Sequence, residues 1–203
     1  MATITALLSD LNGVFVVSEK LSERFHRDFG IPTDVFKAAL ADVLAKARRP
    51  GVQDSFVYWQ PYLTAWNLTL DRGAFFHYWF GGERLNGEML ELARDLRHEG
   101  VSVYLVSNSF PERSAHYATH FPELFAAVDS VSYSWETGFV KPDPRAWSHV
   151  LHTHRLTPET CIAFDDRQRN VDAVASLGVH AYLFSSATDA RSIIDHVRTS
   201  HDA

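Results

Sequence analysis

Ile4-Thr5-Ala6-Leu7-Leu8-Ser9-Asp10-Leu11-Asn12-Gly13-Val14 decides how this chain is read. Its first half is a short apolar run that stops at a serine and an aspartate. That is the pattern of a buried parallel strand with a polar carboxyl end. Three further runs repeat it: Val101 to Val106 ending in Ser107-Asn108, Cys161 to Phe164 ending in Asp165-Asp166, and His180 to Phe184 ending in Ser185-Ser186. Helix-like stretches lie between them. Leu85 to His98 stops at Gly100, a suitable C-terminal cap. Arg145 to His154 follows Pro144, which suits a first helical turn, and Val171 to Leu177 closes at Gly178. Strands alternating with helices of this length predict right-handed βαβ units, hence an α/β fold with a Rossmann-like parallel sheet core and helices on both faces.

The stretch from Val17 to Asn86 breaks the rhythm. Asp34 to Ala47 is its clearest helix, and no buried strand is evident. It is dense in aromatic residues: Phe56, Tyr58, Trp59, Tyr62, Trp66, Phe75, Phe76, Tyr78, Trp79 and Phe80. These features predict an inserted α-helical cap over residues 17–86, with the core built from residues 1–16 and 87–203. Most of the aromatics are expected to form the insertion's own core. A few are expected at the cleft, because ligand pockets favour domain junctions and aromatic walls.

Composition narrows the function classes. The chain has 203 residues, 46% hydrophobic and 22% charged, near the globular average. Lys plus Arg number 19 against 25 Asp plus Glu, a formal net charge of −6, and no basic run is longer than Arg48-Arg49. A protein that tracks nucleic-acid phosphates shows a basic stripe, so that partner class is not expected. The single cysteine, Cys161, excludes an intramolecular disulfide and a cysteine-based zinc site. No apolar run reaches a membrane span, and the first residues show no signal-like pattern, so a cytoplasmic protein with no membrane partner is expected. The aromatic insertion would permit a homodimer.

In an open parallel sheet, ligands bind outside the carboxyl ends of the strands. That edge would gather Asp10, then Ser107 and Asn108, then Asp165 and Asp166, with Lys141-Pro142-Asp143-Pro144 in the loop between the second and third groups. Singly, each residue could be a cap or a turn residue. Together they carry chemistry. Three carboxylates brought to one edge repel each other, and a divalent cation resolves the repulsion. A set of few carboxylates plus water suits Mg²⁺. Ser107, Asn108 and Lys141 then offer donors to phosphate oxygens, and Asp10 keeps a carboxylate oxygen for nucleophilic attack.

Four ordered stretches, Leu8-Ser9-Asp10-Leu11-Asn12-Gly13-Val14, Leu105-Val106-Ser107-Asn108-Ser109, Val140-Lys141-Pro142-Asp143-Pro144 and Ala163-Phe164-Asp165-Asp166 followed by Asn170, make the chain resemble the haloacid dehalogenase-like (HAD) hydrolase superfamily over essentially its whole length. The long interval between the first two stretches leaves room for a helical cap of the kind called C1. The forms of the motifs look most like the small-molecule branch, with its metabolite phosphatases, the phosphatase domain of epoxide hydrolases and the 2-haloacid dehalogenases. The resemblance implies Asp10 as nucleophile and metal ligand, and the backbone carbonyl of Asn12 as a second metal ligand. It implies Ser107, assisted by Asn108, as phosphate holder, and Lys141 as the neutralising cation. Asp165 and Asp166 would hold Mg²⁺ directly or through water, and the substrate would be a small-molecule phosphate.

One position departs from that pattern. The family's phosphatases carry a second aspartate two residues after the nucleophile, as general acid and base, and here that residue is Asn12. A carboxamide cannot shuttle a proton at neutral pH, a loss worth about 10² to 10⁴ in rate. Three readings follow: a slowed Mg²⁺-dependent phosphatase, a catalytically weak binding or regulatory protein, and a dehalogenase-like enzyme whose halide leaving group needs no proton. Outside these motifs, His116 and His120 have no third metal ligand and read as a solvated helix face. Cys161 reads as a core residue, and Arg167 stands close enough to the acidic pair to contact a substrate anion.

Overall fold

The four apolar runs become four of the five strands of one sheet in a computed structural model that describes residues 4–199. The outermost parts of the expected core segments, residues 1–3 and 200–203, lie outside the described residues. In chain order the elements are β1 (Ala6–Ser9), β2 (Val16–Ser18), α1 (Leu21–Phe29), α2 (Thr33–Ala47), α3 (Phe56–Ala65), α4 (Arg72–Phe80), β3 (Glu83–Leu85), α5 (Gly87–His98) and β4 (Ser102–Ser107). Then come α6 (Pro111–His120), α7 (Pro122–Ala127), β5 (Ser130–Tyr133), α8 (Ser134–Thr137), α9 (Arg145–Thr153), β6 (Cys161–Asp165), α10 (Gln168–Ala175), β7 (His180–Leu183) and α11 (Ala187–Thr199). The sheet order is β5-β4-β1-β6-β7 and every pairing is parallel.

β1 is central, with Ala6 opposite Ser102 on one side and Cys161 on the other. Because strand side chains alternate, its two faces feed two separate cores. Leu7, Val103, Leu105, Ile162 and Phe164 pack with α5, α7 and α11, while Ala6, Leu8, Val106, Cys161 and Ala163 pack with α9 and α10. The continuous apolar runs that predict a doubly covered sheet are thus matched by cores on both faces.

Two details differ from the sequence reading. β5 was not foreseen: Ser130-Val131-Ser132-Tyr133 is an edge strand with largely half-buried side chains, so it lacks a continuous apolar run. β7 was expected to be buried, yet it is the opposite edge, its residues half-buried and Leu183 49% exposed. An edge strand has one sheet neighbour and less cover, so an apolar run does not guarantee burial there.

The insertion enters and leaves the core through a two-stranded antiparallel ribbon, β2 with β3, which pairs Val16 with Leu85 and Ser18 with Glu83. Between the two strands lie α1 to α4, so the stretch contains short strands as well as more helices than α2 alone. Its core is aromatic. Trp59 and Phe36 are fully buried and stacked, ring centroids 5.6 Å apart, and Trp79 meets Trp59 edge-on at 5.6 Å. All ten aromatics singled out from the sequence belong to this cluster or pack against it. Phe110, just after β4, joins the cluster from the sheet side, with Trp79 at 5.1 Å.

Candidate active site

β1 flanked by β4 and β6 brings the ends of three strands side by side, which is why residues far apart in sequence converge. Asp10 follows β1, Ser107 ends β4 and Asp165 ends β6. Lys141 comes from the loop before α9 and sits between two carboxylates, Nζ 2.8 Å from Asp10 Oδ1 and 2.8 Å from Asp165 Oδ2. All three side chains are at least nine-tenths buried. The lysine also lies 5.0 Å from the ring centroid of buried Trp147, a cation–π contact.

Each member of this triad is held by a neighbour. The Leu11 N–H donates to Asp10 Oδ1 at 2.7 Å, so both contacts to Asp10 use one oxygen. Asp165 Oδ1 accepts from the Arg167 N–H at 3.0 Å and from Asn170 Nδ2 at 2.8 Å. Asn108 accepts from the Lys141 N–H at 2.8 Å and donates back to the Lys141 carbonyl at 2.9 Å. That amide therefore fixes the loop presenting Lys141, a use the sequence did not suggest.

Asp166 is more exposed and less engaged, with Arg167 Nε 3.7 Å away. It lies against Gly13, whose φ of +101° favours glycine. A Cβ on Gly13 would lie 2.6 Å from Asp166 Oδ2, so the close approach also requires glycine there. Asp10, Asp165 and Asp166 each offer an oxygen, and these atoms lie within 4.8 Å of one another. Burial raises the Asp10 carboxyl above the ordinary carboxylate range, the Lys141 ammonium pulls it down, and Asp165 pushes it up again. Burial and the Asp10 charge push Asp166 up to about 6. Carboxylates this close and this destabilised in their ionised form fit a hard divalent cation, which would relieve the repulsion.

Asn12 stands beside this group. Its Nδ2 donates to Ser107 Oγ at 3.1 Å, and its Oδ1 accepts from the Tyr117 hydroxyl at 2.6 Å. Tyr117 is buried on α6, next to Arg113, which is ion-paired with Glu83 of β3. Burial raises the Tyr117 hydroxyl pKa well above its usual value, so it remains a donor. Tyr117, Trp147, Arg113 and Glu83 were not singled out from the sequence. Each looks like an ordinary core or helix-face residue until the fold places it.

The remaining sequence candidates go elsewhere. His116 and His120 stack on each other at 4.2 Å on α6, and His116 also packs on Phe80 at 4.8 Å. Cys161 is buried in β6, with burial raising its thiol to about 11. No helix among the described residues is long and apolar enough to cross a membrane.

Comparison with known proteins agrees with this geometry. The sequence model of the haloacid dehalogenase-like hydrolases matches residues 4–178. Phosphatase MT3486 of Mycobacterium tuberculosis is 29% identical over 97 residues, 48% of this chain and 45% of that protein. Bifunctional epoxide hydrolase 2 of Sus scrofa is 25% identical over 57% of this chain and 21% of its own length. The matches thus span less than half of these two curated relatives. Among solved structures, the HAD family enzyme bt-2542 of Bacteroides thetaiotaomicron superposes with a TM-score of 0.80 at 20% identity, covering 95% of this chain and 98% of that one. That enzyme is also known in complex with magnesium and inorganic phosphate.

Proposed function

The chain belongs to the haloacid dehalogenase-like hydrolases, and from that premise we propose that it is a phosphatase for a small organic phosphate, using Mg²⁺ and an aspartyl-phosphate on Asp10, and slowed by Asn12. One observation carries the reading: a buried lysine bridges Asp10 and Asp165 at 2.8 Å each, beside the third carboxylate of Asp166. A dehalogenase has no evident use for three converging carboxylates, whereas a divalent cation at a phosphate does. The phosphatase relatives and the magnesium and phosphate bound by the bacterial enzyme support the same choice.

Asp10 Oδ1 is occupied by Lys141 and the Leu11 N–H, so Oδ2 is the oxygen available to attack phosphorus. Lys141 offsets the charge that accumulates on nucleophile and phosphoryl oxygens, and Ser107 offers a hydroxyl to one of those oxygens. Asp10, the backbone carbonyl of Asn12 and, directly or through water, Asp165 and Asp166 would hold Mg²⁺, which supplies electrostatic stabilisation of the phosphoryl oxygens when bound. The bond to the leaving oxygen breaks as the bond to Asp10 forms. Asn12 cannot protonate that oxygen, so it departs as an anion or takes a proton from water. Water then hydrolyses the acyl phosphate, again without a base at residue 12.

The test is paired kinetics of the parent and Asn12→Asp on an alkyl phosphate with Mg²⁺ present. The variant should gain about 10² to 10⁴ in turnover. The parent should accumulate a covalent species heavier by about 80 Da, one phosphoryl group on a carboxylate. Asn12 by itself favours a second reading, a weakly catalytic binding protein. No gain on any substrate, with Mg²⁺ binding established, would decide for it.

A further inference from the structure

Arg48 is the C-terminal cap of α2 in the insertion. Pro50, two residues on, faces the loop leading to Lys141: a Cβ on Gly138 would meet Pro50 Cγ at 3.4 Å. The charges acting on the Arg48 guanidinium are those of Arg113, Arg167, Asp10 and Arg169, all from the sheet side of the molecule. Burial and these neighbouring cations push its pKa down to about 10.

Its bonding sets it apart. Among the described residues, three charged side chains keep a buried polar atom with no hydrogen-bond partner: Arg48 Nε, Arg113 Nε and Glu83 Oε2. Arg113 and Glu83 pair with each other. Among the described residues Arg48 forms no ion pair, and its backbone N–H, bonded to Leu44, makes its only hydrogen bond. Arg167 lies beside Asp166, and Asp10 is already paired with Lys141. A half-buried guanidinium among other guanidiniums, its Nε shielded and without a partner, is unfavourable, and an anion would compensate it.

We propose that Arg48 is an anion receptor on the cap side of the cleft, and that the substrate is a small phosphate ester with a second acidic group, a carboxylate or another phosphate. The guanidinium fork suits bidentate recognition of either group. The proposal rests on the reading of Asp10 as the residue that meets the reacting phosphate. It names what the insertion selects at the far end of the same molecule.

Non-hydrolysable phosphonates test it by calorimetry with Mg²⁺ present. Phosphonopropionate and propane bisphosphonate carry a second anion, and propylphosphonate is the neutral-tailed control. The parent protein should bind at least one of the doubly anionic probes about 10- to 100-fold more tightly than the control, the range of charge-assisted hydrogen bonds. Whichever probe gains more identifies the second group. Arg48→Gln should remove that preference and Arg48→Lys should retain part of it. Because Arg48→Gln breaks no side-chain bond, the ligand-free variant should melt at or above the parent temperature, and melting below it would overturn the claim that Arg48 is unpaired. Equal binding of all three probes by the parent, or a preference that survives Arg48→Gln, overturns the subsite alone and leaves the phosphatase reading standing. No binding of any phosphonate overturns both. A preference that depends on Arg48 in a protein without turnover supports the subsite and sinks the phosphatase.

Discussion

The candidate catalytic edge of the sheet and the helical insertion bury their side chains in opposite ways. At the edge, Asp10, Lys141, Asp165 and Asn170 are buried polar groups whose positions are fixed by specific partners. In the insertion, the buried volume is Phe25, Phe36, Trp59, Phe75 and Trp79, held by shape and apolar area. The edge therefore tolerates almost no change of chemistry, and the insertion tolerates almost no change of volume. The two regions are thus stabilised by different terms.

Lys141→Met should break the contrast most strongly. The substitution leaves two buried carboxylates without their shared cation, which costs about 3–5 kcal/mol in urea unfolding, and it removes turnover. The two 2.8 Å ion pairs make it structural as well. A melting temperature equal to the parent's would mean the triad is not formed. Leu63→Ala, at a 3% exposed position in the insertion, supplies the counterpart. It should cost about 2–4 kcal/mol through lost burial and a cavity, while Mg²⁺ affinity of the folded protein is unchanged. A matching loss of Mg²⁺ affinity would show that the two regions are one energetic unit.

The framework was legible because buried parallel strands advertise themselves as apolar runs with polar ends. Leu8-Ser9-Asp10 and Phe164-Asp165-Asp166 pointed to the edge at once. β5 stayed hidden because Ser130 and Ser132 interrupt its pattern, and Tyr117 because a tyrosine on an amphipathic helix looks like packing. Arg48 stayed hidden for a different reason. Nothing in Ala47-Arg48-Arg49 says which arginine turns inward, and only the fold, which buries Arg48 Nε, shows it.

Asp166 gives a smaller effect with a definite sign. Its folded pKa of about 6 lies above the ordinary 3.8, so the metal-free folded state holds a proton that the unfolded chain has released. Metal-free stability should therefore be highest below about pH 4 with respect to this group and fall as pH rises toward 6. The side chain is 35% exposed, so screening reduces the effect to about 1–2 kcal/mol. Asp166→Asn should flatten that part of a stability–pH curve measured with chelator. An unchanged slope would place the strain on Asp10 instead.

Tyr117→Phe should have the least effect on stability, and it asks whether the insertion's neighbours tune the edge. Only a hydroxyl is removed, and it is the one that donates to Asn12 Oδ1 at 2.6 Å. Such a bond is worth about 0.5–1.5 kcal/mol. Its second consequence is orientation. With Oδ1 held by Tyr117, the Asn12 amide hydrogens point toward Ser107, where they can donate to a phosphoryl oxygen. Without the hydroxyl, the amide is free to turn its carbonyl toward that anion, which repels it. Vanadate binding with Mg²⁺ present should then weaken by roughly three- to tenfold, the same range expressed as affinity. A double-mutant cycle separates orientation from general loosening: in an Asn12→Ala background, Tyr117→Phe should have no further effect on vanadate. If the loss persists there, Tyr117 acts through Arg113 and Glu83 rather than through Asn12. If Tyr117→Phe binds vanadate as tightly as the parent, Ser107 alone sets the amide, and the edge is independent of the helix behind it.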